Sequence, residues 1–182
     1  MKIVTPAEFQ TAFLDTVRER EGEVIKHWQG AQSSHTQEMI GEVLPRIASK
    51  LNLQSYAGDY YTLDTIFYSD KDVKHFPEAS TYAKSIAVAL EHENVLKGSC
   101  VEMNKLQLFN APLKVLITYA RAGFGLEEFL QKYAEIVRDA DVFGDFSNRN
   151  RQLVIFGDLV DGSPTWKFFV YQDLDFIPIG AS

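Results

Sequence analysis

The stretch IAVALEHEN, residues 86–94, decides how the chain is read. Five small or apolar residues run into Glu91 and Glu93, with His92 between them. A short apolar run bounded by polar residues reads as a buried strand. Side chains alternate faces along a strand, so Glu91 and Glu93 share a face with Ala87 and Ala89, and His92 points the other way with Val88 and Leu90. Two residues advance a strand by about 6.5 Å, which lets both carboxylates converge on one small cation. Burying one unpaired carboxylate costs several kcal/mol, and two like charges together cost more. Water at an exposed strand end, a lysine or a divalent metal must compensate.

The stretch YYTLDTIFY, residues 60–68, supplies a third carboxylate. It is aromatic and β-branched, a strand pattern, with Asp64 in its middle. If the two strands are neighbours, Asp64 joins Glu91 and Glu93. Three carboxylates around one point make a hard-oxygen site suited to Mg²⁺ or Mn²⁺. The plain alternative is an edge-strand aspartate and a strand end emerging into solvent at Asn94.

The remaining elements frame these strands. Thr5-Pro6-Ala7-Glu8 is a helix start, with Thr5 as N-cap, Pro6 at the first helical position and Glu8 closing a capping box. Phe9, Phe13 and Val17 follow at spacing four, in a helix expected to reach Trp28 and to weaken near Gly22. A second helix is expected over residues 36–51, with the apolar stripe Ile40, Val43, Leu44, Ile47, Leu51 and a kink or break at Pro45. Its phase turns Glu38 and Glu42 toward solvent. Residues 69–80 read as a polar connection, 100–109 as a short helix and 113–119 as a buried strand. Residues 126–137 read as an amphipathic helix, and a hairpin of strands 153–160 and 166–171 turns at Asp161-Gly-Ser-Pro164. This order predicts an α/β domain with a mixed central sheet and helices on both faces. One domain spans residues 1–182, made of an N-terminal helical segment, 1–34, and an α/β core, 35–182.

An Asp on one strand, an acidic residue and its i+2 partner on the next, then a helix and another buried strand resembles the PD-(D/E)xK nuclease superfamily, the restriction-endonuclease-like fold. The resemblance covers residues 36–119. Asp64 matches the first acidic position; Glu91 and Glu93 match the second motif in a Glu-x-Glu form. It implies Mg²⁺-dependent phosphodiester hydrolysis, with Asp64, Glu91 and Glu93 as metal ligands and nucleic acid as substrate. A lysine usually stands where this chain has Glu93. Lys105 is the candidate substitute, on a stripe with Val101 and Leu108 that faces inward or flanks the buried face of the helix. Two other readings stand beside this one. One is a noncatalytic binding or structural module on the same fold; the other is a metal-dependent phosphohydrolase of a small substrate. A homodimer is compatible with all three.

Charge and composition bound these readings. The formal net charge of −7 argues against broad, nonspecific nucleic-acid binding, and the 18 Lys and Arg are scattered apart from Arg149 and Arg151. A single cysteine, Cys100, excludes an intramolecular disulfide and fits a reducing compartment. The first residues, MKIVTPAEFQ, hold no apolar stretch before a cleavage site, and no run is long enough to span a membrane, so a cytoplasmic location without membrane is expected. His27, His35, His75 and His92 lack zinc-ligand spacing, and His92 reads as a structural histidine. Gly123-Phe124-Gly125 reads as helix punctuation rather than a phosphate loop, because Glu127 and Glu128 fill the first turn. The aromatic set Tyr56, Tyr60, Tyr61, Phe67 and Tyr68 reads as core.

Overall fold

The computed structural model describes residues 2–76, 79–120, 125–141 and 151–180, with the backbone alone at 57–59, 75–76 and 79–82. Gly123, Phe124 and Arg149 lie outside these residues, as does the side chain of His75.

The protein is α/β, built on a seven-stranded open mixed sheet. Its strands are β1 (Gln54–Tyr60), β2 (Leu63–Tyr68), β5 (Val88–Glu93), β6 (Leu113–Tyr119), β7 (Arg151–Val160), β8 (Ser163–Gln172) and β9 (Asp175–Pro178), in the order β1-β2-β5-β6-β7-β8-β9. β5–β6 and β6–β7 are parallel and the other four pairings antiparallel. Parallel neighbours need crossovers, supplied by helices α5 (Ser99–Gln107) and α6 (Leu126–Ala140). A separate hairpin, β3 (Val73–Phe76) and β4 (Ala79–Ala83), lies between β2 and β5 in sequence, where a plain polar connection was expected.

Helices cover both faces. On one, α1 (Pro6–Glu19), α2 (Glu21–Trp28), α3 (Gln32–Glu38) and α4 (Leu44–Lys50) bury Phe9, Phe13, Val24 and Ile47 against Val88, Leu90, Val115, Ile117 and Ile155. On the other, α5 and α6 bury Met103, Leu106, Leu130 and Tyr133 against Ala89, Leu116 and Val154. The N-terminal segment thus contributes to one of the two cores of the sheet. Among the described residues, no helix is long and apolar enough to cross a membrane.

The α1 start forms as the capping box dictates: Thr5 Oγ1 accepts the Glu8 amide, and Glu8 Oε2 accepts the Thr5 amide. The break toward Trp28 falls at Arg20 rather than Gly22. Pro45 falls in the first turn of α4, where its missing amide is tolerated. A π-helical turn, Met39–Val43, lies directly before α4 and absorbs the missing amide. That extra residue per turn rotates Glu38 away from its expected solvent face, and Glu38 is 5% exposed. Arg20 meets it in a two-pronged pair, Nε to Oε1 at 2.7 Å and Nη2 to Oε2 at 3.0 Å.

The stretch 60–68 is not one strand. Tyr61 and Thr62, with φ of 50° and 80°, form a two-residue turn between β1 and β2. Left-handed backbone at a β-branched residue is costly and needs surrounding contacts to hold it. Tyr61 is largely exposed and Tyr56 half-exposed, so of the aromatic set Phe67 forms core and these two do not.

Candidate active site

β2 and β5 are neighbours, as the carboxylate reading requires. Thr65 pairs with Leu90 and Ile66 with Ala89, so the next rung sets Asp64 opposite Glu91. The ladder ends there on a side chain: Asp64 Oδ2 accepts the His92 amide at 2.8 Å. This bond fixes the Asp64 carboxylate at the end of β5.

Glu91 is 0% exposed. Helix α5 brings a cation to it: Lys105 Nζ lies 3.0 Å from Glu91 Oε2 and 2.5 Å from Glu102 Oε2. The same ammonium donates to the Thr62 carbonyl at 3.0 Å, tying the left-handed turn before Asp64 to the site. Val101 and Leu108 do not form an inward stripe with Lys105; they are 67% and 79% exposed. The buried face of α5 is Ser99, Met103, Leu106 and Gln107, because these positions meet β5, β6 and α6. Lys105 flanks that face and reaches under the helix to Glu91.

Glu93 takes a different course. Its Oε1 accepts the Val95 amide at 2.7 Å, and its other oxygen lies over Gly98, where a Cβ would come within 2.7 Å of it. Glu93 therefore shapes the turn into α5. Its rung partner on β6, Thr118, is fully buried, with a hydroxyl that has no partner among the described residues. On the opposite face His92 is buried, with Nε2 2.6 Å from the Tyr119 hydroxyl.

The electrostatics follow from burial. Desolvation, the negative charge of Asp64 and a shared hydrogen bond with Glu102 push the Glu91 carboxyl up to about 9, against the opposing pull of Lys105. Burial disfavours the Lys105 ammonium, but hydrogen bonds and charge from Glu102 and Glu91 hold its pKa above the usual value. At neutral pH Glu91 is thus a neutral acid beside a cation.

Among the described residues, no three His, Cys, Asp or Glu side chains converge as a ready-made metal cage. The donor set at Asp64 and Glu91 nevertheless fits a hard cation. Both carry oxygen donors, Glu91 Oε1 has no hydrogen-bond partner among the described residues, and Mg²⁺ typically takes one or two carboxylates and keeps its waters. Glu102 was not anticipated from sequence. Its only signal is the i, i+3 spacing to Lys105 on one helix.

No known protein-family model matches the chain, and no curated protein matches it.

Proposed function

We propose that this chain is a Mg²⁺-dependent nuclease of the PD-(D/E)xK type. The observation that carries the reading is the Lys105 ammonium, delivered from α5 to within 3.0 Å of Glu91, on the strand that pairs with the one bearing Asp64. This supplies from a helix the cation that the Glu-x-Glu sequence lacks. The order α4, β1, β2, β5, α5, β6, with β5 and β6 parallel, supports a restriction-endonuclease-like core.

Asp64 and Glu91 would hold the ion, which when bound lowers the pKa of a water and neutralises charge on the phosphodiester. Asp64 is oriented for this by the His92 amide. Glu91, to serve as a ligand, would have to give up its proton, with the Lys105 ammonium 3.0 Å away to favour the carboxylate. Lys105, steadied by Glu102 and the Thr62 carbonyl, orients the nucleophile and stabilises charge on the phosphate oxygens. Glu93 is left out of this set because its carboxylate serves the turn into α5, accepting the Val95 amide.

Cleavage of single- and double-stranded DNA and RNA with Mg²⁺ tests this. The expected result is hydrolysis of at least one of these, lost in Asp64→Asn and in Lys105→Met. Absence of hydrolysis across all four substrates, with Mn²⁺ as well as Mg²⁺, would overturn it. The complete burial of Glu91 favours one second reading, a noncatalytic module in which Glu91, Glu102 and Lys105 form a closed internal group. That reading predicts no divalent-ion binding.

A further inference from the structure

The face of the sheet away from Glu91 carries a separate cavity at the same strand ends. His92, Tyr119 and Gly157 lie at or near the carboxyl ends of β5, β6 and β7, on the side covered by α1–α4. Ligands of open α/β sheets commonly bind outside these ends. Gly157 lets aromatic rings press onto the strand: a Cβ there would lie 2.7 Å from Trp166 and 2.8 Å from both Trp28 and Tyr119. Above it, the Trp28 and His35 rings are 5.0 Å apart, Trp28 and Tyr119 4.9 Å, and His35 and Tyr119 4.8 Å. These rings wall a cavity of about 550 Å³, within the usual range for a small-molecule site, with Asn94, Lys97 and Asp158 also in its lining.

His35 is the unexplained residue. It is 4% exposed, lines the cavity, and neither ring nitrogen has a hydrogen-bond partner among the described residues. Burial, helped by His27 and opposed by Glu38, holds its pKa down at about 4. The ring is then neutral, with one N–H donor and one acceptor. Leaving both unmade costs about 1–3 kcal/mol each. A ligand that satisfies them must be flat enough to lie against this cluster of three aromatic rings and must carry a donor and an acceptor on its edge. Nucleobases have this combination, stacking on aromatic side chains while their edges hydrogen-bond. Asn94 and Asp158 offer polar groups of the kind that bind sugar hydroxyls, and Lys97 offers charge for a phosphate.

We propose that this cavity binds a nucleobase, laid against the cavity side of the Trp28, His35 and Tyr119 ring cluster and hydrogen-bonded by His35. The base can belong to a free mononucleotide or to an unstacked end of a single strand. The inference does not rest on the metal-site reading, because Asp64, Glu91, Glu102 and Lys105 take no part in the cavity lining.

The chain has two tryptophans, Trp28 in the cavity wall and Trp166 against Gly157, so intrinsic fluorescence reports occupancy. AMP, GMP, CMP, UMP and short single-stranded oligonucleotides would be titrated in EDTA, which removes any contribution from a metal site. Saturable quenching by at least one of them is expected. His35→Phe keeps the ring and removes both nitrogens; it should weaken binding by about tenfold or more without lowering thermal stability. Leu159→Trp, at the cavity lining, should occlude the site and abolish quenching even if His35→Phe fails to fold. Tighter binding of mononucleotides would assign a free nucleotide, and tighter binding of oligonucleotides an unstacked base. No saturable quenching up to millimolar concentration, or quenching unchanged in both variants, would overturn the proposal.

Discussion

Replacing Glu91 by Gln should stabilise the metal-free protein, and by an amount that grows with pH. Glu91 is a carboxyl whose folded pKa, about 9, lies above its ordinary value of 4.5. Below about pH 4.5 folded and unfolded states are both protonated and the shift has no effect on stability. Between there and about pH 9 the unfolded chain ionises while the folded chain keeps its proton, so stability falls as pH rises. Above about pH 9 both are ionised and the loss levels off. The slope approaches about 1.4 kcal/mol per pH unit, so the wild-type chain should lose about 4 kcal/mol between about pH 5 and pH 8 from this group alone. Gln at this position does not titrate and keeps the shape. Urea denaturation of both proteins at the two pH values measures the effect as a widening gap in favour of the variant. A saturating divalent ion should then close the gap in the wild type only, contributing about 2.7 kcal/mol at one hundred times its Kd. Parallel pH profiles for the two proteins would refute the buried, neutral Glu91 on which this reasoning stands.

Other outcomes follow from the same geometry. Under the proposed nuclease reading, Lys105→Met should reduce phosphodiester cleavage by about 10²–10³-fold, read as kcat, because it removes the cation that would stand beside the phosphate. Glu93→Gln should change Mn²⁺ affinity by less than about threefold, since its carboxylate serves the Val95 amide, whereas Glu91→Gln should abolish binding; calorimetry separates the two. Arg20→Ala leaves Glu38 buried without its guanidinium partner and should cost about 3 kcal/mol or more, measured by urea denaturation.

The strand bearing Glu91, its parallel neighbour and α6 were legible because apolar runs and a clean helical stripe mark them. So were the adjacency of the strands bearing Asp64 and Glu91 and the helix position of Lys105. Other features depend on signals that short sequence patterns do not carry. The β3–β4 hairpin hides in a polar stretch whose hydrophobic alternation is absent. Glu38 turns inward because a π-helical turn beside Pro45 resets the helical phase, and regular spacing cannot show such a turn. Val101 and Leu108 look like core by type, yet α5 buries Met103 and Leu106 instead. The aromatic cavity was invisible for a different reason: Trp28, His35, Tyr119 and Gly157 come from distant parts of the chain, and each alone reads as ordinary core.

Asp64 and the buried acid Glu91 are proposed to take up a divalent ion together. Titration of Mn²⁺ into the protein near neutral pH, repeated in buffers of different ionisation enthalpy, tests it most directly. Saturable binding that releases about one proton per ion is expected, because Glu91 must ionise, with loss of binding in Asp64→Asn and in Glu91→Gln. No binding heat, or binding without proton release that survives in both variants, would contradict it.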